Sequence, residues 1–161
     1  MRILVSTASK YGSTAEIAEA IGGVLHDRGH EVRLTSPEEV RSVEGHEAVI
    51  LGSAVYAGHW MKPARELADR AAEALAGRPT WLFSSGPVGD PPKPEEDPVD
   101  VAEIMERTGA RGHRVFPGRL DRTRLSFGEK AIVLALRAPE GDFRDWDDIR
   151  GWAGSIADAL S

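Results

Sequence analysis

The sequence contains no cysteine. That absence excludes disulfides, thiolate nucleophiles, dithiol redox motifs and cysteine-ligated iron–sulfur clusters, so any redox role must use a borrowed cofactor. No uninterrupted apolar run approaches the ~20 residues that cross a bilayer. Met1 to Val5 pass directly into a strand pattern without the long apolar stretch of a leader, and the expected location is the cytoplasm. Positive charge is also short: 26 acidic against 20 basic residues leave a net charge of −6. A nucleic-acid partner is not expected from such a balance, because phosphate backbones select basic surfaces.

What is present is an ordinary globular composition, 161 residues of which 41% are hydrophobic and 29% charged. It is enough to bury a core, and one domain over residues 1–161 is expected, without internal repeats. Apolar runs alternate with amphipathic stretches. Ile3 to Val5 read as a short buried strand ending at Ser6-Thr7. A turn leads to a helix from about Thr14, with Ile17, Ile21, Val24 and Leu25 on one face and Gly29 as its C-cap. Glu31 to Thr35 alternate as a strand, and Ala48 to Val55 form the apolar run of a strand covered on both faces.

Pro63 opens a second helix whose stripe is Leu67, Ala68, Ala71, Ala72 and Leu75, closed by Gly77. Thr80 to Ser84 read as a strand. Asp97-Pro98 predicts the start of a helix carrying Val101, Ile104 and Met105 and ending at Gly109. Arg114 to Phe116 read as the fifth strand. Asp145 caps the last helix, with Ile149, Trp152, Ala153, Ile156, Ala157 and Leu160 as its apolar stripe. This alternation predicts an α/β fold, a mostly parallel sheet with helices on both faces. The loop from Gly86 to Pro98, rich in proline, glycine and charge, reads either as a surface connector or as a loop beside a ligand.

The most informative segment follows the first strand: Ser9, Lys10, Tyr11, Gly12, Ser13 and Thr14. Hydroxyls, a glycine and a helix start fall within six residues. A helix N-terminus carries unpaired N–H groups and partial positive charge, and a glycine lets the backbone curl round an anion. The same pattern also suits a plain Ser/Thr cap on a glycine turn. No G-x-G-x-x-G and no G-x-x-x-x-G-K-[ST] occurs, which argues against a dinucleotide turn and an NTPase loop. A phospho-accepting receiver domain needs acidic residues at the ends of its first and third strands. Here those places hold Ser6-Thr7 and Gly52-Ser53.

The turn S-K-Y-G-S-T resembles the first βα turn of the flavodoxin superfamily, S/T-x-T-G-x-T, which wraps the phosphate of FMN. Tyr11 stands where that pattern has a small hydroxyl residue. The resemblance implies a three-layer fold with a five-stranded parallel sheet of order 2-1-3-4-5, and FMN bound non-covalently. It implies phosphate contacts from Ser9 to Thr14. Flavin-ring contacts would come from the loop after the third strand: Ser53, Ala54, Val55, Tyr56, Ala57, Gly58, His59 and Trp60. There Tyr56, His59 and Trp60 are the residues expected to stack or hydrogen-bond. The loop after the fourth strand, Ser85, Gly86, Pro87, Val88 and Gly89, would flank the other side. No catalytic acid or base is identifiable, and no metal site is expected.

More narrowly, the chain is similar to the flavodoxin-domain branch that includes menaquinone-dependent protoporphyrinogen oxidase. The similarity rests on S-T-A-S-K-Y-G-S-T-A-E-I-A, G-S-A-V-Y-A-G-H-W, F-P-G-R-L-D and G-D-F-R-D-W-D-D-I. It implies an FMN-dependent oxidoreductase with a quinone acceptor. In that branch a segment after the fifth strand is linked to substrate or membrane contact, and Arg122 to Arg137 occupies its place. That segment, basic at its ends and apolar from Ala131 to Leu136, reads either as an amphipathic surface helix peripheral to a membrane or as an ordinary buried helix. Two other functions stay open at this stage. One is a single-electron carrier between redox proteins, and the other is a flavin-free binding module on the same fold. The sequence marks no oligomeric interface.

Overall fold

A computed structural model describes residues 1–10, 12–56, 58–86, 100–117, 119–120, 141–142 and 144–161, with Tyr56 and residues 119–120 and 141–142 described by their backbone. The expectations placed on Tyr11, Ala57, Pro87, Val88, Gly89 and the 122–137 segment lie outside these residues.

The strands are β1 (Arg2–Ala8), β2 (Glu31–Thr35), β3 (Ala48–Tyr56), β4 (His59–Trp60), β5 (Thr80–Ser85), β6 (Gly112–Phe116), β7 (Arg119–Leu120) and β8 (Gly141–Asp142). The α-helices are α1 (Ser13–Asp27), α2 (Lys62–Arg70), α3 (Ala72–Ala76), α4 (Val101–Thr108) and α5 (Trp146–Ala159). Five strands pair in parallel in the order β2-β1-β3-β5-β6, the 2-1-3-4-5 sheet expected from the sequence. Two small additions were not expected: β4 turns back antiparallel on β3, and β7 pairs antiparallel with β8.

Side chains alternate across a strand, and that period sorts the core onto the two faces of the sheet. Ile3, Val5, Ile50, Phe83 and Phe116 meet α1 and α5 through Ile17, Ile21, Leu25, Ile149, Trp152 and Ile156. Leu4, Val49, Leu51 and Leu82 meet the opposite layer through Leu67, Leu75, Val101 and Ile104. Each such side chain, fully buried, contributes roughly 1.5–3 kcal/mol. On the first face Phe83, Phe116 and Trp152 form an aromatic cluster with centroids 5.5 to 6.3 Å apart. Gly52 lies beside Phe83 in the β3–β5 register, and a Cβ at that position would overlap the Phe83 ring.

The helix boundaries follow local chemistry. Helix α1 ends in a left-handed Gly29, with its N–H on the His26 carbonyl and the His30 N–H on that of Leu25. This is the paired closure that glycine favours at a helix end. Asp145 caps α5, its carboxylate accepting the Asp148 N–H at 3.1 Å. The single helix expected after Pro63 is divided at Ala71, whose backbone leaves helical geometry. The break lies next to Arg70, which donates to the carbonyls of Pro37 and Val40. Helix α4 begins at Val101, later than the start expected at Asp97-Pro98, with Asp100 at its N-cap position.

Because the strands are parallel, they all deliver their carboxyl ends to one edge. β1 and β3 are neighbours, yet the chain leaves β1 toward β2 on one side and reaches β5 on the other. That reversal opens a crevice at the carboxyl edge, where α/β sheets place ligands.

Gly52→Ala is expected to destabilise the protein by about 1–3 kcal/mol in urea unfolding, since the Phe83 ring has no room to move. Combination with Phe83→Leu should recover part of that loss. A second expectation concerns His30, whose Nδ1 is buried without a partner among the described residues. Burial first, then the positive chain terminus and Arg28, holds its pKa below the ordinary 6.5, with Glu47 opposing. Between the folded and unfolded values the unfolded chain binds more protons, so stability is complete above 6.5 and falls as pH drops through the folded value. His30→Gln should flatten that part of the acid-side decline in the urea midpoint. A decline parallel to the parent protein would contradict it.

Candidate functional site

The segment after β1 turns on Gly12, which adopts φ 87° and ψ −13°. An L side chain is strained there even though nothing lies within 4 Å of a Cβ. Ser9 braces the turn by accepting the Gly12 N–H at 3.1 Å. The first helical hydrogen bond of α1 runs from the Glu16 N–H to the Gly12 carbonyl at 3.0 Å. The N–H groups before it have no partner within the helix, and Gly12 supplies no side-chain cap. α5 closes its own N-terminus with Asp145, whereas among the described residues no side chain caps the first turn of α1, which lies at the carboxyl edge of the sheet.

Lys10 is exposed, Ser9, Gly12 and Ser13 are half-buried, and Thr14 is buried. Beside the turn a cleft of about 330 Å³ is lined by Thr7, Ser9, Ala15, Glu19, Leu34 and Met61, among others. The Thr7 hydroxyl is buried there without a hydrogen-bond partner among the described residues. An open helix N-terminus, a left-handed glycine and an unpaired hydroxyl form a cradle suited to a phosphate ester.

The β3–β4 hairpin forms the neighbouring wall. It reverses through Gly58, at φ 79°, and pairs the Tyr56 backbone with His59 and Val55 with Trp60. Ser53 is fully buried: its hydroxyl accepts the Met61 N–H at 2.9 Å and donates to the Ala54 carbonyl at 2.8 Å. Asp100, at the start of α4, does not cap its own helix. Its carboxylate accepts the Trp60 N–H at 3.0 Å, and His59 Nδ1 lies 3.3 Å from both of its oxygens.

Trp60 sits in a different place from the one its aromatic character suggests. It is 1% exposed, and its indole N–H donates to Ser84 Oγ at 2.8 Å. Ser84 Oγ in turn lies 2.7 Å from His113 Nε2. Trp60 is therefore a core anchor beneath the hairpin, with no face left to stack on a ring, while His59 stays half-exposed at the rim. On the opposite flank Ser85 and Gly86 are buried, and Gly86, at φ 93°, donates its N–H to the Phe116 carbonyl at 2.9 Å. Ala54 is likewise buried and Val55 half-buried.

The structure brings the described residues of these loops to one edge of the sheet, and sequence reasoning missed what holds them. Ser84 and His113 carry no local motif, and they are brought together by the β5–β6 pairing, while Asp100 joins from the start of α4. Asp100 could have been found from its position just before the apolar stripe of α4.

The comparisons with known proteins agree with this fold. Residues 4–147 match the family described as the flavodoxin domain. The chain therefore belongs to that family, and its cofactor is FMN. The fold is similar to that of an archaeal flavodoxin, at 20% identity and a TM-score of 0.68 over 99% of both chains. It is similar to flavodoxin 1 of Bacillus cereus, at 16% identity and a TM-score of 0.68 over the whole of both chains. It also resembles rubredoxin oxygen:oxidoreductase of Desulfovibrio gigas, at 15% identity and a TM-score of 0.66, covering 99% of this chain and 36% of that one. No curated protein matches the chain in sequence.

If Trp60 is a core anchor, Trp60→Phe should cost about 1–3 kcal/mol in urea unfolding, because the Ser84 contact is lost in a buried place. The absorption spectrum of bound flavin should stay unchanged. A shifted flavin spectrum with unchanged stability would place Trp60 against the ring instead.

Proposed function

We propose that the protein is an FMN-dependent oxidoreductase acting on a reduced organic substrate, with a quinone as electron acceptor. Porphyrinogen oxidation is the specific activity proposed. FMN supplies redox chemistry when bound. In this reading the residues Ser9, Gly12, Ser13 and Thr14 hold its phosphate at the open turn of α1. The 53–60 hairpin and Ser85-Gly86 bound the ring, with His59 at the accessible rim.

One observation carries the choice of an enzyme. β7 and β8 pair with each other after β6, whose carboxyl end lies at the same edge of the sheet as that of β1. That is the edge at which the phosphate turn opens. The sequence joining these two short strands, residues 121–140, is long for a connection, and long connections are where substrate-contacting segments are commonly found. The similarity of F-P-G-R-L-D and G-D-F-R-D-W-D-D-I to the oxidase branch supports the same reading. Membrane contact through 122–137 belongs to this proposal as well. Among the described residues no helix is long and apolar enough to cross a membrane.

A second reading is a single-electron carrier, favoured by end-to-end similarity to two flavodoxins. The two differ in what they turn over. The enzyme should oxidise protoporphyrinogen with a soluble quinone, and deletion of 121–140 should abolish turnover while FMN stays bound. Absence of turnover in the intact holoprotein, together with reduction in two separate one-electron steps, would favour the carrier.

A further inference from the structure

The G-D-F-R-D-W-D-D-I segment contains an arginine that reaches back to the phosphate turn. The Arg144 side chain is 4% exposed. Its Nη1 donates to the Ser13 carbonyl at 3.2 Å and lies 3.3 Å from Glu16 Oε2, and its guanidinium covers the Trp146 ring at 4.7 Å from the centroid. Arg144 directly precedes Asp145, the cap of α5, so the start of that helix fixes where the guanidinium stands. A buried cation is tolerated only when paired, and here the pairing falls on the first turn of α1.

Glu16 explains why the pairing matters. It is the acidic residue in the first turn of α1. A carboxylate there favours the free helix, because it faces the positive end of the dipole. A phosphate arriving at the same turn meets that carboxylate as a like charge. Arg144 cancels it from the protein side, and because the Glu16 carboxylate is about half-exposed the cancellation remains open to screening by salt.

We infer that Arg144 is a positioning residue for the cofactor's phosphate: by neutralising Glu16 and holding the Ser13 carbonyl, it makes the turn prefer FMN to the same flavin without its phosphate. The inference rests on FMN as the cofactor. It concerns selection between two flavins, a property that general stabilisation of the fold does not confer.

The experiment is a pair of binding titrations, FMN and riboflavin, against the full-length chain freed of flavin, at low ionic strength. The parent protein should bind FMN more tightly than riboflavin. Arg144→Met should weaken FMN by roughly fivefold or more with riboflavin unchanged. Glu16→Gln should tighten FMN, again without moving riboflavin, and Arg144→Met combined with Glu16→Gln should restore most of the lost preference. The losses should shrink as salt is raised. If Arg144→Met does not fold, Glu16→Gln and Arg144→Lys still decide. The first should raise the preference for FMN, and the second should keep most of it. Equal weakening of both flavins, or a Glu16→Gln protein with unchanged preference, overturns the inference while leaving FMN as the cofactor. A parent protein that binds neither flavin overturns both.

Discussion

The structure depends on a helix left open at one end. α1 begins in a left-handed glycine, with no side-chain cap among the described residues, shortly after the interior strand β1, and its first turn lies at the sheet's carboxyl edge. Backbone donors of this kind require an acceptor. At α5 the chain provides one from Asp145; at α1, in the function proposed above, the cofactor's phosphate would provide it. The β1–α1 and α1–α5 packing, built on Ile17, Ile21, Leu25, Ile149, Trp152 and Ile156, holds this open end in place. In that proposal binding would use a rigid arrangement of dipoles and need little ordering of the protein at the moment of contact.

The second wall of the crevice is stiffened differently. A two-residue strand is too short to hold a hairpin by its ladder alone, and polar side chains supply the remainder. Ser53 ties the hairpin from within, Asp100 from α4, and the buried Trp60–Ser84–His113 chain from β5 and β6. These contacts bring four segments distant in sequence to one place. His59, at the outer end of that arrangement, has a half-exposed side chain.

Much of this was legible in the sequence because it is local. The alternation of Ile3 to Val5, the stripe of α1, the glycine after it and the aspartate before α5 each express a short-range rule, and the five-strand parallel order followed from them together with the family resemblance. The glycine turn into α1 was legible for the same reason. What was not legible depends on tertiary pairing. The burial of Trp60 follows from Ser84 on the neighbouring strand, and an aromatic near a cofactor loop looks the same in sequence whether it faces ring or core. The division of the helix at Ala71 and the diversion of Asp100 from its own helix likewise depend on partners far along the chain. Arg144 stood in a segment noted for its family resemblance, yet its partner Glu16 lies on α1, at the other end of the chain.

Amide-resolved NMR of the isotopically labelled apoprotein during titration with FMN tests the central claim most directly. The account predicts the largest shifts at Gly12, Ser13, Thr14 and Ala15, then in the β3–β4 hairpin and at Ser85-Gly86, with the opposite edge of the sheet near Arg2, Glu31 and Glu47 unmoved. Shifts concentrated at that opposite edge, or saturable binding that leaves the amides of the α1 turn unchanged, would contradict it.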